Sequence, residues 1–220
     1  MVVFDMAGTT VDEDNVVYKT LQQVINKEGY NFSLKTVLAA GAGKEKLQAI
    51  KDILKLGNPQ RDEKFAKNLY AVFDRELEKA YNTIDIQPQD GAETLFESLR
   101  KQNIRIVLNT GYNDSTARRL LTKLNWKEGD QIDALVTATS VKRNRPYPDM
   151  IQLAMKQFDI TEAKYVIKVG DSDIDIQEGQ NAGCGLAIGI TTGAHTQLQL
   201  EAANPDYVIN HLSELLPLLN

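Results

Sequence analysis

The chain opens on Met1-Val2-Val3-Phe4-Asp5-Met6-Ala7-Gly8-Thr9-Thr10-Val11-Asp12, and the rest of the sequence is read outward from this stretch. Residues 1–4 are apolar throughout, the pattern of a short strand buried on both faces. The run stops at Asp5, and Gly8 marks a turn just beyond it. An open parallel sheet binds its ligands at the carboxyl ends of its strands, so Asp5 stands where such a sheet would place a working side chain.

Two rhythms follow. Residues 15–81 read as helical throughout, with apolar residues at helical spacing: Val16, Leu21, Val24 and Ile25, then Leu47, Ile50, Ile53 and Leu54, then Phe65, Leu69, Val72, Phe73 and Leu77. Gly29, Gly41, Gly43 and the Gly57-Asn58-Pro59 turn divide this stretch into separate helices. After Pro88 helices and strands alternate. Helices are expected over 91–101, 116–124, 149–158 and 174–182, and strands over 104–108, 134–136, 165–169, 185–190 and 208–209. That alternation predicts an α/β, doubly wound parallel-sheet (Rossmann-like) core. A small all-helical cap, residues 15–83, is inserted after the first strand, and the core is residues 1–14 with 84–220.

Bulk properties narrow the function. The 220 residues carry 25 basic and 30 acidic side chains, a net charge of -5 that argues against a nucleic-acid partner. No apolar run reaches the roughly 20 residues of a membrane helix. The lone cysteine, Cys184, fits a reducing compartment, and no basic segment precedes the first strand, so the expected location is the cytoplasm.

Four polar clusters fall at predicted strand ends: Asp5; Thr110-Gly111; Arg145; and Asp171 with Asp173 and Asp175. Singly, such residues are often helix caps or turn formers. Together they make one chemistry. Carboxylates without histidine or thiol select a hard cation, and Mg2+ suits oxygen ligands and phosphoryl groups. Thr110 and Gly111 can hold phosphoryl oxygens, Arg145 can neutralise charge, and Asp5 can be a covalent nucleophile. His195 and His211 are read as structural or surface residues.

The stretch 5–12, Asn109-Thr110-Gly111, Arg145-Pro146-Tyr147-Pro148-Asp149 and Gly170-Asp171-Ser172-Asp173-Ile174-Asp175 together resemble, in order, the motifs of the haloacid dehalogenase superfamily. The resemblance implies that Asp5 is the nucleophile. It implies that Mg2+ is held by Asp5, the Ala7 carbonyl and Asp171, with Asp175 supporting it and Asp173 a lesser helper. Most phosphatases of that superfamily carry a general-acid aspartate where this chain has Ala7. Losing such a group costs about 10²–10⁴-fold. The phosphonatase (phosphonoacetaldehyde hydrolase) branch has alanine there, and Arg145 and Thr110-Gly111-Tyr112 also match it. Its cap lysine sits in a Gly-x-x-Lys segment, which Gly41-Ala42-Gly43-Lys44 fits.

An imine between Lys44 and an aldehyde would draw electrons from a carbon–phosphorus bond while Asp5 takes the phosphoryl group. The carbon fragment would leave as an enamine, not as an alkoxide, and the missing acid would not be needed in that step. Lys44 would have to be neutral, against an ordinary pKa of about 10.4, with Lys46 and Lys51 near it in sequence. The same glycine-rich stretch is no nucleotide P-loop: Leu38 stands where its first glycine belongs and Glu45 where its Ser/Thr belongs.

Three positions depart from phosphonatase. Leu47 replaces a histidine three residues after the lysine; Glu13, Asp14 and Asn15 stand where a cysteine belongs; and Asn144 replaces a glycine. The expected function is therefore hydrolysis of phosphonoacetaldehyde or a related 2-oxo-phosphonate, a small-molecule substrate. The alternatives are a phosphate-ester phosphatase with a relocated acid, from Asp12 or the cap, and a non-catalytic phosphate-binding regulatory domain. The resemblance also implies a homodimer.

Overall fold

The computed structural model describes residues 1–219. Six parallel strands form the sheet: β1 (Val2–Phe4), β4 (Ile106–Thr110), β5 (Ala134–Thr137), β6 (Ile167–Gly170), β7 (Leu186–Ile190) and β8 (Tyr207–Ile209), in the order β5-β4-β1-β6-β7-β8. β1 is central because its residues are buried on both faces. Val2 and Phe4 join the main core, where Phe4 packs on Phe96 with ring centroids 5.8 Å apart, and Val3 joins a second cluster with Met150 and Ile151 on the other side. This is the period-two alternation of a strand covered twice.

Register carries the strand ends together. Phe4 pairs with Leu108 and with Val169, and the Asp5 amide donates to the Val169 carbonyl at 2.9 Å. Asp5 therefore lies between the ends of β4 and β6. β4 runs from 106 to 110, not 104 to 108, so Thr110 ends the strand instead of following it. Residues 163–165 form a 3-10 turn with Tyr165 exposed, and β6 starts only at Ile167.

The helices α1 (Val16–Asn26), α2 (Leu34–Gly41), α3 (Lys46–Lys55) and α4 (Glu63–Thr83) lie between β2 (Val11–Asp12) and β3 (Gln87–Pro88). β2 and β3 pair antiparallel, so the departing and returning chain run side by side, a detail the sequence pattern does not show. Ser33 caps α2 through the Thr36 amide, and Asp62 caps α4 through the Phe65 amide. The apolar faces of α1, α3 and α4 (Val17, Leu21, Ile50, Ile53, Leu69 and Phe73 among them) are buried within the chain. The core helices are α5 (Ala92–Lys101), α6 (Asp114–Leu124), α7 (Asp149–Gln157) and α8 (Asp173–Ala182); a short α9 (Gln197–Glu201) and a 3-10 segment (Leu212–Leu219) were not foreseen. Among the described residues, no helix is long and apolar enough to cross a membrane.

Candidate active site

Asp5, Asp171 and Asp175 converge, each offering an oxygen within 4.8 Å of the others, and all three are buried. Asp171 is reached because Gly8 has no side chain: a Cβ there would stand 2.5 Å from Asp171 Oδ2. Asp171 Oδ2 accepts from the Ala194 amide at 2.6 Å. Burial, with Asp5 and Asp175 beside it, pushes the Asp171 carboxyl well above the usual carboxylate range. Burial also raises Asp5, against the pull of Arg145. Asp175 is held low: Arg145 and Lys168 outweigh its burial.

Arg145 is the hub of this buried network. Its Nη1 donates to Asp5 Oδ1 at 2.7 Å and lies 2.9 Å from Asp175 Oδ1; its Nε donates to Glu178 at 3.0 Å; and its Nη2 donates to the Asn109 carbonyl at 2.8 Å. Burial disfavours the guanidinium, but Asp175, Glu178 and Asp5 more than restore its charge. Lys168, fully buried on β6, sits 2.9 Å from Asp175 and 3.3 Å from Glu178. Four ionised carboxylates against these two cations would leave two negative charges, and the donors nearest one another are all oxygen. That set fits one hard divalent cation.

A small cavity, about 10 Å³, opens beside Asp5 and is lined by Ala7, Tyr18, Gly43, Lys46, Thr110, Gly111 and Tyr112. This is about the space of one water sphere, so the helices over Asp5 leave little room in this cavity. The fit is tight at Gly111, where a Cβ would stand 2.6 Å from the Lys44 carbonyl oxygen. Thr110 is buried, and its Oγ1 accepts from the Tyr112 amide at 3.2 Å.

The lysine at this cavity is Lys46. Lys44, expected here, points elsewhere: its Nζ pairs with Asp52 at 2.8 Å, and it lines a separate, open groove of about 490 Å³. The reason is local. The Glu45 carboxylate caps α3 by accepting from the Leu47 and Gln48 amides, each at 2.9 Å. Lys46 thus becomes the first residue of the helix, on the buried stripe with Ala49, Ile50 and Ile53, while Lys44 stays outside it. Lys46 Nζ donates to the Lys44 carbonyl at 2.7 Å and lies 5.2 Å from the Tyr112 ring centroid and 5.5 Å from that of Tyr18. Burial pulls the Lys46 ammonium down, and Arg145 adds to this against the carboxylates of Asp5, Glu45 and Glu13. Two signals could have identified it: the 46/49/50/53 helical stripe, and a second Gly-x-x-Lys at Gly43-Lys44-Glu45-Lys46.

Lys168 and Glu178 were also missed, although a lysine inside the apolar run Val166-Ile167-Lys168-Val169 is itself a signal. Asp173 lies outside the carboxylate cluster; its amide donates to His195 Nδ1 at 3.1 Å, so the buried His195 serves the loop. His211 is at the surface, 3.2 Å from Asp90.

Known proteins resemble this chain over nearly its whole length. The chain is 29% identical to a phosphonoacetaldehyde hydrolase of Latilactobacillus sakei, over 97% of this chain and 92% of the relative. It is 27% identical to the pyrophosphatase PpaX of Bacillus mycoides, over 100% and 96%. Among solved structures, a phosphonoacetaldehyde hydrolase-like protein from Oleispira antarctica superposes with a TM-score of 0.85 at 23% identity, covering 99% of this chain and 90% of that one. A hydrolase from Pseudomonas syringae does so with 0.86 at 20%, covering 98% and 95%. The family described as haloacid dehalogenase-like hydrolase matches residues 2–188, and the chain belongs to that family.

Proposed function

We propose that this chain hydrolyses the carbon–phosphorus bond of phosphonoacetaldehyde or a related 2-oxo-phosphonate, with Asp5 as nucleophile and Lys46 as the imine-forming amine. The observation that carries this reading is the shared cavity: Lys46 and Asp5 line one space, and the residue two after Asp5 is Ala7. The neutral amine condenses with the aldehyde. The resulting cation draws the carbon–phosphorus bonding pair into an enamine as Asp5 attacks phosphorus. Water then hydrolyses the aspartyl-phosphate, and the carbon fragment returns to the aldehyde level as Lys46 is released. Burial favours the neutral form of Lys46 that the first step needs. Asp5, Asp171 and Asp175 are the residues that would hold Mg2+, which when bound would supply charge neutralisation at the phosphoryl oxygens. Thr110, Gly111 and Tyr112 line the phosphoryl side, and Arg145 holds the Asp5 carboxylate in place. Residues 15–83 are the unit that lifts to admit substrate. With Lys46 as the amine, the position three residues later is the buried Ala49, so the phosphonatase histidine is absent in this register too.

Incubation with phosphonoacetaldehyde and borohydride tests this reading. Phosphate release and an adduct mapped to Lys46 are expected, with trapping abolished in Lys46→Ala and retained in Lys44→Ala. No phosphate and no trapped lysine would refute the function; an adduct on Lys44 would refute the choice of lysine.

A second reading, hydrolysis of a phosphate ester or anhydride, is favoured by the full-length similarity to pyrophosphatase PpaX. It predicts strong wild-type turnover in a phosphate-ester panel and little further gain in Ala7→Asp, because a relocated acid already supplies the roughly 10²–10⁴-fold of a general acid.

A further inference from the structure

Glu13 is a buried carboxyl that the chemistry above does not use. It follows β2, where the chain leaves the core, and is 3% exposed. Its Oε2 accepts from the Tyr81 hydroxyl at 3.0 Å and from the Val17 amide at 3.2 Å. The Tyr81 hydroxyl in turn lies 2.9 Å from the Tyr112 hydroxyl. Tyr81 belongs to α4 and Tyr112 to the loop after β4, so the chain of contacts crosses from the helical insertion to the core. Tyr112 lines the Asp5 cavity, with Lys46 over its ring.

We propose that Glu13, acting through Tyr81 and Tyr112, is the proton source for this cavity and takes over from the acid missing at Ala7. The inference rests on Asp5 as nucleophile and Lys46 as imine-former. Each hydroxyl has one proton to donate. When Glu13 is ionised, Tyr81 donates to it and Tyr112 donates to Tyr81, so Tyr112 offers only lone pairs to the cavity. When Glu13 is neutral, its proton passes to the Tyr81 oxygen, that of Tyr81 passes to the Tyr112 oxygen, and that of Tyr112 passes to the enamine carbon. The enamine becomes an iminium, which water hydrolyses to free Lys46 and the aldehyde product. Water attack on the aspartyl-phosphate frees a proton, and the reverse path returns one to Glu13.

Burial favours the protonated form of Glu13. Burial raises its carboxyl to about 8, against the Tyr81 and Val17 hydrogen bonds and the charge of Lys46 on α3, with Asp12 adding to the rise. The other groups facing this chain are the Tyr18, Tyr81 and Tyr112 phenols, all pushed well above their ordinary range by burial, with Asp171 adding to the rise at Tyr18 and Glu13 at Tyr81 and Tyr112. They relay protons without ionising.

Glu13→Gln keeps the size and the hydrogen bond but has no transferable proton; Tyr81→Phe keeps the ring and breaks the path. With folding checked by circular dichroism, both should lower kcat on phosphonoacetaldehyde about 10²–10⁴-fold with KM held, and Glu13→Gln should remove the alkaline limb of the pH profile near 8. Trapping at Lys46 should survive in both, since imine formation precedes the relay. Equal loss of trapping and turnover would show a structural role and overturn the relay. Independently of substrate, the infrared difference between wild type and Glu13→Gln should show a protonated carboxyl at neutral pH that Tyr112→Phe shifts. Absence of that band, or its indifference to Tyr112→Phe, overturns the relay even if the wild type proves inactive on phosphonates.

Discussion

Two lysines separated by one residue have opposite fates here. Lys44 ends in an ion pair with Asp52, while Lys46 enters the cavity, because Glu45 starts α3 between them. A Glu45→Ala change removes that cap, which should cost about 0.5–2 kcal/mol. It should also loosen Lys46, so borohydride trapping should slow more than thermal stability falls; unchanged trapping would show that packing alone places Lys46. Arg145 is a different case. It bridges Asp5, Asp175 and Glu178 in a buried site. Arg145→Ala leaves Asp5 without its ion pair and Asp175 and Glu178 with Lys168 alone, and should destabilise the fold by about 3–5 kcal/mol, measured by chemical denaturation. Arg145 was legible from its motif, but its partner Glu178, and the pairing of Lys168 with that same Glu178 and Asp175, were not. A buried lysine is recognised by what neutralises it, and those groups lie on separate elements.

At the level of elements, site assembly depends on strand register and on one close approach. Pairing of β1 with both β4 and β6 brings Asp5, Thr110 and Asp171 to one edge. The Gly43–Lys44 backbone then rests on Gly111. Gly111→Ala should leave the sheet intact but hold the helical insertion off the core. Misplacement of about 1 Å can cost about 10²-fold, so turnover should fall by that order while far-ultraviolet circular dichroism is unchanged. The strands and helices were legible from their periodicities. The β2–β3 pair was not, because two-residue strands carry no period, and the ends of β4 shifted because register, not composition, decides which residues pair.

Across the whole molecule, charge burial links stability to solution conditions. Folding raises the Glu13 carboxyl from 4.5 to about 8. The stabilisation this represents is fully present below about 4.5 and is lost as pH rises through about 8. Denaturation across this window should show stability falling by a few kcal/mol in the wild type, with a flatter profile in Glu13→Gln. The crowding of the buried Asp5, Asp171 and Asp175 carboxyls, which disfavours their joint ionisation, predicts that Mg2+ raises Tm. Magnesium at a hundred times its Kd should add about 2.7 kcal/mol, and Asp171→Asn should abolish the gain.

The parallel sheet covered by helices and the haloacid dehalogenase-like family followed from the sequence alone, as did the nomination of Asp5, Thr110, Arg145, Asp171 and Asp175 as strand-end candidates. Each rests on a local pattern: an apolar run with a polar end, a helical stripe, or a short motif. Tertiary structure decided which lysine faces Asp5, which cations balance the carboxylates, and that Glu13 reaches Tyr112 through Tyr81. These depend on distances between elements far apart in the chain. Burial and mutual charge set the chemistry of such groups, and neither exists until the chain has folded.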